Sequence, residues 1–210
     1  MIFYQLKFSV GKEIGTTFPQ SQRMVSELSI DDPRHLWNLE GKLDESAYIP
    51  DSILHPKARL TDLISSSPIS KPIVSTKLKD LILTLREEGI QFLPAQVVTK
   101  KGKTRYWLMN GYTPDYHLID FDRSLISLKR RDENGTVSKP LELKSSDDYV
   151  KALNSVEYPK FVCVEKLVLL DNTIDNIIYI DRVSSSFFFS QKAKDAIEES
   201  NFTGITFEIL

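Results

Sequence analysis

The sequence predicts an α+β fold built on a mainly antiparallel sheet, and three observations lead there. Strand-like runs outnumber helical ones, short turn signals join several of them as hairpins, and a helix-forming segment near the middle is echoed near the end. At 210 residues the chain is long enough to bury a core without disulfides or metals. We read residues 1–60 as a loop-rich N-terminal region packed on the core, and residues 61–210 as the α+β core.

The first element is a strand, in which Tyr4, Leu6, Phe8 and Val10 alternate with Phe3, Gln5, Lys7 and Ser9. From Gly11 to Leu60 the pattern breaks at Gly15, Pro19, Pro33, Gly41, Pro50 and Pro56, leaving room for short helical turns only. Then Pro72, Ile73 and Val74 form a short strand and Ser75 caps a helix whose apolar face is Leu78, Leu81, Ile82 and Leu85. Gly89 stands where a left-handed helix cap suits glycine. Residues 90–98 and 104–109 are strands joined at Lys100, Lys101, Gly102 and Lys103. Residues 117–120 and 124–128 are strand-like, and a tight turn at Asn134-Gly135 leads into a strand over 137–143. A short helix over 147–153, a long and largely buried strand over 161–170, a strand over 177–183, a helix over 191–200 and a strand over 204–210 complete the order.

The echo is specific. Residues 75–92 lie over 190–207 without a gap at a constant offset of 115, and eight of the eighteen positions are identical: Ser, Lys, Lys, Asp, Ile, Gly, Ile and Phe. Each identity has a local structural reason: serine caps, glycine terminates, isoleucine and phenylalanine fill a core, and Lys and Asp stay solvated. The pattern therefore predicts two strand–helix–strand repeat units, at about 62–98 and 181–210, each helix lying on the sheet.

Composition excludes several functions. Lys plus Arg is 27 against 29 for Asp plus Glu, so a net charge of −2 gives no global attraction to nucleic acid or anionic lipid. The single cysteine, Cys163, forms no internal disulfide, and its apolar neighbours mark a buried thiol. His35, His55 and His117 fall in separate segments, so no metal-ligand spacing exists, and neither metal nor cofactor is expected. No phosphate-cradling glycine loop and no Gly-x-Ser-x-Gly elbow occurs. The serine clusters at 65–67 and 184–186 are turn-like. No basic head with an apolar run opens the chain and no stretch is long enough to span a bilayer, so a cytoplasmic protein is expected.

Short motifs point to a family. Ile73-Val74-Ser75-Thr76-Lys77-Leu78-Lys79, residues 89–97 beginning Gly89-Ile90-Gln91-Phe92, Tyr106-Trp107-Leu108-Met109-Asn110 and residues 118–124 come first. Phe188-Phe189-Ser190-Gln191-Lys192-Ala193-Lys194 and Thr203-Gly204-Ile205-Thr206-Phe207 follow. In order and spacing, from about Asp62 to Leu210, the chain resembles immunity protein family 11 of bacterial polymorphic toxin systems. The resemblance implies a non-enzymatic cytoplasmic protein that binds and neutralises a cognate toxin, with no catalytic residues to carry over.

An interface of that kind needs central aromatic anchors. Trp37, Tyr112 and Tyr116 lie in irregular segments and are the candidates. Two other classes of function compete. One is a small hydrolase using Asp120, Asp122 and His117, because paired carboxylates and an imidazole can share acid–base work. The other is a single-stranded nucleic-acid binder using Lys100, Lys101, Lys103 and Arg105 beside Tyr106 and Trp107. A lysine-rich hairpin tip also blocks edge pairing, so nucleic acid is not the expected partner.

Overall fold

The structure, a computed structural model, describes residues 1–44, 46–132, 135–181, 183 and 186–210. The chain begins with strand β1 (Phe3–Phe8), as its alternation predicts. Strands β2 (Ser21–Val25) and β3 (Asp51–Leu54) then appear inside the stretch read as loops, which corrects the expectation of helical turns alone. They pair antiparallel with each other, and each buries a serine, Ser21 and Ser52, so no apolar alternation announces them.

Strands β4 (Leu63–Ile64) and β5 (Ile73–Val74) form a short antiparallel pair leading into helix α1 (Thr76–Leu85). The Ser75 hydroxyl accepts from the Leu78 amide at 3.2 Å, satisfying one of the unpaired donors at the helix start. Leu78 and Ile82 are buried, while Leu81 and Leu85 pack half-buried on the same core. The helix ends differently from expectation. Arg86 turns extended, its amide bonded to the Ile82 carbonyl, and Gly89, with φ +78°, starts the next strand rather than capping the helix.

Strands β6 (Ile90–Thr99) and β7 (Gly102–Gly111) are the predicted hairpin, in register from Ile90↔Gly111 to Thr99↔Gly102. Strands β8 (Leu125–Asp132) and β9 (Gly135–Pro140) form a second hairpin. The tight turn expected there and the serine cluster expected at 184–186 fall partly on Glu133, Asn134, Ser184 and Ser185, which lie outside the described residues. Helix α2 (Ser146–Ser155) is capped by Ser145, whose hydroxyl accepts from Asp148 N at 3.2 Å. Strand β10 (Lys160–Lys166) is shorter than expected, with Val162 its one buried residue, and Cys163 is half-buried. Strand β11 (Ile177–Tyr179), strand β12 (Phe187–Ser190), helix α3 (Gln191–Glu199) and strand β13 (Ile205–Ile209) close the order. Residues 117–120 are not a strand. A 3-10 turn, Tyr116–Leu118, precedes a single bridge from Ile119 to Leu169.

Among the described residues there are three α-helices and thirteen strands in three sheets. The sheet orders are β2-β3-β6-β7-β5-β4, β11-β12-β1-β13 and β10-β8-β9. Every strand pair is antiparallel except β3 with β6. The fold is thus α+β, as predicted, with three sheets rather than one.

The sheets are stacked through three cores. Leu78, Ile82, Ala193 and Ile197 of α1 and α3 pack with Val74 and Met109 of the six-stranded sheet and Leu6 and Phe189 of the four-stranded one. The opposite face of the six-stranded sheet, with Ile73, Leu93 and Leu108, meets Leu36 and Leu43 of the N-terminal segment. The opposite face of the four-stranded sheet, with Phe3, Ile178 and Phe188, meets Tyr149 of α2 and Val162 of β10. A sheet covered on both faces needs continuous apolar strands, which is why Phe187, Phe188 and Phe189 run together without alternation.

The two helices are set into their sheets alike. Between β5, which precedes α1, and β6, which follows it, lies β7; between β12, which precedes α3, and β13, which follows it, lies β1. Ser190 accepts from Ala193 N at 3.2 Å, as Ser75 does from Leu78. Gly204, at φ +81°, passes so close to the Leu63 carbonyl that a side chain there would collide with it.

Candidate functional site

Where the N-terminal segment crosses the six-stranded sheet, a polar network fastens it. Gln91 and Asn110 face each other across β6 and β7 in the midst of apolar neighbours. The Gln91 side-chain amide donates to the Leu43 carbonyl at 2.9 Å and its oxygen accepts from the Leu43 amide at 2.6 Å. Asn110, fully buried, donates to the Gly41 carbonyl and to Gln91 Oε1, both at 2.9 Å, and accepts from Lys71 Nζ at 2.6 Å. A buried amide is tolerated only when paired this way.

Two adjoining cavities lie beside the network and meet it at Lys71. One, of about 380 Å³, is walled by Leu6, Phe8 and Phe187. The other, of about 510 Å³, is walled by Trp37, Glu40, Tyr112 and Pro114. Ser70, Lys71, Gly111, Tyr179 and Asp181 border both, so the two form one groove divided at Lys71. Gly111 permits this. A side chain there would run into the Tyr179 ring. Burial pushes the Lys71 ammonium below the usual lysine range, although the charges of Asp181 and Glu40 act in the other direction. Burial likewise pushes the Tyr179 phenol up, and Asp181 adds to the effect, so the phenol stays neutral.

The groove separates the three proposed anchors. Trp37, 51% exposed, lines it with its indole N–H donating to the Pro68 carbonyl at 2.9 Å. Buried His35 holds the turn beneath, accepting from the Trp37 amide at 3.3 Å and meeting the indole edge-on at 5.4 Å. Tyr112 lines the same cavity from the end of β7, with Lys42 Nζ 5.3 Å from its ring centre. Tyr116 borders neither cavity. It packs edge-on against buried Tyr149 at 5.0 Å, as part of the core beneath α2.

The competing sites take other shapes. His117, Asp120 and Asp122 do come together, around a separate hollow of about 390 Å³. Asp120, however, accepts from Arg123 Nε at 2.6 Å and from the Arg123 amide at 3.0 Å, and this pairing holds its carboxyl below the usual carboxylate range. Arg123 extends to Asp171 at 3.0 Å, so the cluster closes a surface turn. A carboxylate so occupied is a poor general base. At the basic hairpin, Lys79 of α1 and Arg105 of β7 lie 4.4 and 4.5 Å from the centre of the Trp107 ring, and Lys103 pairs with Asp51 at 2.7 Å. The ring that would stack a base is already engaged by cations. Among the described residues no group of three His, Cys, Asp or Glu side chains is placed to hold a metal ion, and no helix is long and apolar enough to cross a membrane.

Sequence reasoning missed Lys71, Asn110, Gln91, Glu40 and Asp181. The available signal was Gln91 and Asn110, two amides among apolar residues, but the register that sets them opposite one another is seen only in the structure. No curated protein matches the chain. A family model does match, over residues 17–209, and that span takes in the polar network, the cavity walled by Trp37 and Tyr112, and every strand except β1. The chain belongs to the immunity protein family Imm11.

Proposed function

We propose that this protein neutralises its cognate toxin without catalysis, by binding it through the Trp37–Tyr112 groove and occluding the surface the toxin needs. The observation that carries the reading is the junction itself. Two aromatic side chains from segments far apart in sequence line one cavity whose Gly41 and Lys71 are held by Asn110. Rigid aromatic anchors over a pre-formed pocket are what a tight interface requires, since little ordering remains to be done on binding. The toxin encoded beside the gene is the natural probe. Expressed alone, this protein is harmless; expressed with that toxin, it restores growth and the two co-purify. Absence of both rescue and complex refutes the reading. The cytoplasm is where such an inhibitor would act.

We infer further that the units around α1 and α3 are copies of one strand–helix–strand design. The support extends past the sequence identities. Trp107 of β7 donates from its indole N–H to Thr76 at 3.0 Å under Lys79, and Tyr4 of β1 donates to Gln191 under Lys194. Thr76 and Gln191, like Lys79 and Lys194, stand 115 residues apart.

A further inference from the structure

Resting on the reading of the groove as the toxin-binding face, its chemistry also points to what enters it. Lys71 stands at the divide between the two cavities and donates to Asn110, whose own bonds to Gly41 and Gln91 fix its orientation. An ammonium carries three N–H donors and Asn110 receives one. Among the described residues, Lys71 has no carboxylate within 4.0 Å. The acidic groups that face it, Asp181 and Glu40, act on it only through their charge, and burial outweighs them both. No carboxylate of the described residues therefore contacts this atom, and a partly desolvated ammonium gains from a partner that arrives with the opposite charge. The cavity walled by Trp37 and Tyr112, of about 510 Å³, has room for a whole side chain.

We propose that the groove receives an acidic side chain of the toxin, its carboxylate pairing with Lys71 Nζ while Trp37 and Tyr112 pack against the flanking residues. The test compares wild-type protein with Lys71→Met and Lys71→Arg for binding to the toxin encoded by the neighbouring gene, by titration calorimetry at two salt concentrations. Lys71→Met should weaken binding by about thirty-fold or more and flatten its salt dependence, whereas Lys71→Arg should retain most of the affinity. In parallel, the Lys71 side-chain carbon resonance is titrated with pH in the free protein and in the complex. A partner carboxylate moves that titration upward in the complex, which a merely structural lysine would not do. Should Lys71→Met fold poorly, the wild-type titration decides alone.

Undiminished binding by Lys71→Met, or a titration that stays or falls in the complex, overturns the acidic partner. If Trp37→Ala and Tyr112→Ala still weaken binding in that case, the groove remains the toxin face. If acetate or phosphate alone shifts the Lys71 titration of the free protein as far as the toxin does, the site takes small anions and the proposal fails. If wild-type protein does not bind the toxin at all, it fails together with the reading on which it rests.

Discussion

Arg86 leaves the end of α1 with its guanidinium turned inward against Asp115, and both side chains are largely buried. Its fork also donates to the Ile177 carbonyl at 3.0 Å, and Asp115 accepts from the Tyr179 amide at 2.8 Å. One ion pair thus ties the end of α1 to β11 of the four-stranded sheet. Removing one partner strands the other charge in a dry place, so Asp115→Ala should lower stability by about 3 kcal/mol or more in urea unfolding. Replacing both residues by apolar ones should restore part of that loss. At the surface the effects are smaller and pH-dependent. Arg34 draws the Asp32 carboxyl from an ordinary 3.8 to about 2, and Asp120 and Asp148 are lowered in the same sense by Arg123 and Ser145. Because their folded values lie below their unfolded ones, their contribution is present above about pH 4 and lost as pH falls toward 2. A stability profile that stayed flat across that window would contradict these pairings.

Among the elements, α1 and α3 depend on their first residues. Ser75 and Ser190 each hold an amide of the first turn, and their hydroxyls also reach Asp62 Oδ1 at 2.8 Å and Asn176 Oδ1 at 3.5 Å. Ser75→Ala or Ser190→Ala should therefore cost about 1 kcal/mol, a fall of roughly 2–4 °C in Tm for a chain of this size, read by thermal melting. These caps were legible in the sequence because their cause is local: a serine, then an apolar face at helical spacing. The β6–β7 hairpin was legible for the same reason, but its register was not: the turn is two residues long, and only that shorter turn sets Gln91 opposite Asn110. Strands β2 and β3 were not, because they bury serines and owe their place to neighbours distant in sequence. The groove was half legible. Trp37 and Tyr112 could be named as aromatics in irregular segments, but nothing near Tyr116 in sequence distinguishes it from them. Only the packing of Tyr149 against it does.

Across the whole molecule, the proposed toxin face lies at a seam of the architecture. The groove exists because the N-terminal segment lies on the six-stranded sheet while residues 179–181 approach from the other sheet, so four stretches of chain must be correctly stacked before Trp37 and Tyr112 share a wall. Trp37→Ala and Tyr112→Ala should leave the thermal melt nearly unchanged and weaken toxin binding by about thirty-fold each, equivalent to roughly 2 kcal/mol. Calorimetry on purified pairs measures this directly, and full affinity in both variants would move the interface elsewhere.

The place of β1 has a consequence in time. It lies between β12 and β13, with Phe3 facing one core and Leu6 another, and it pairs with residues about 180 to 200 positions away. At ribosomal speeds of about 5–20 residues per second, roughly ten to forty seconds separate its synthesis from that of its last partner strand. Meanwhile the β6–β7 hairpin, which closes over a two-residue turn, can form almost at once. Pulse-labelled hydrogen exchange during refolding should accordingly show β6 and β7 amides protected early and those of Tyr4 and Leu6 protected last. A cell that needs this protein against a toxin already present must wait for its slowest strand.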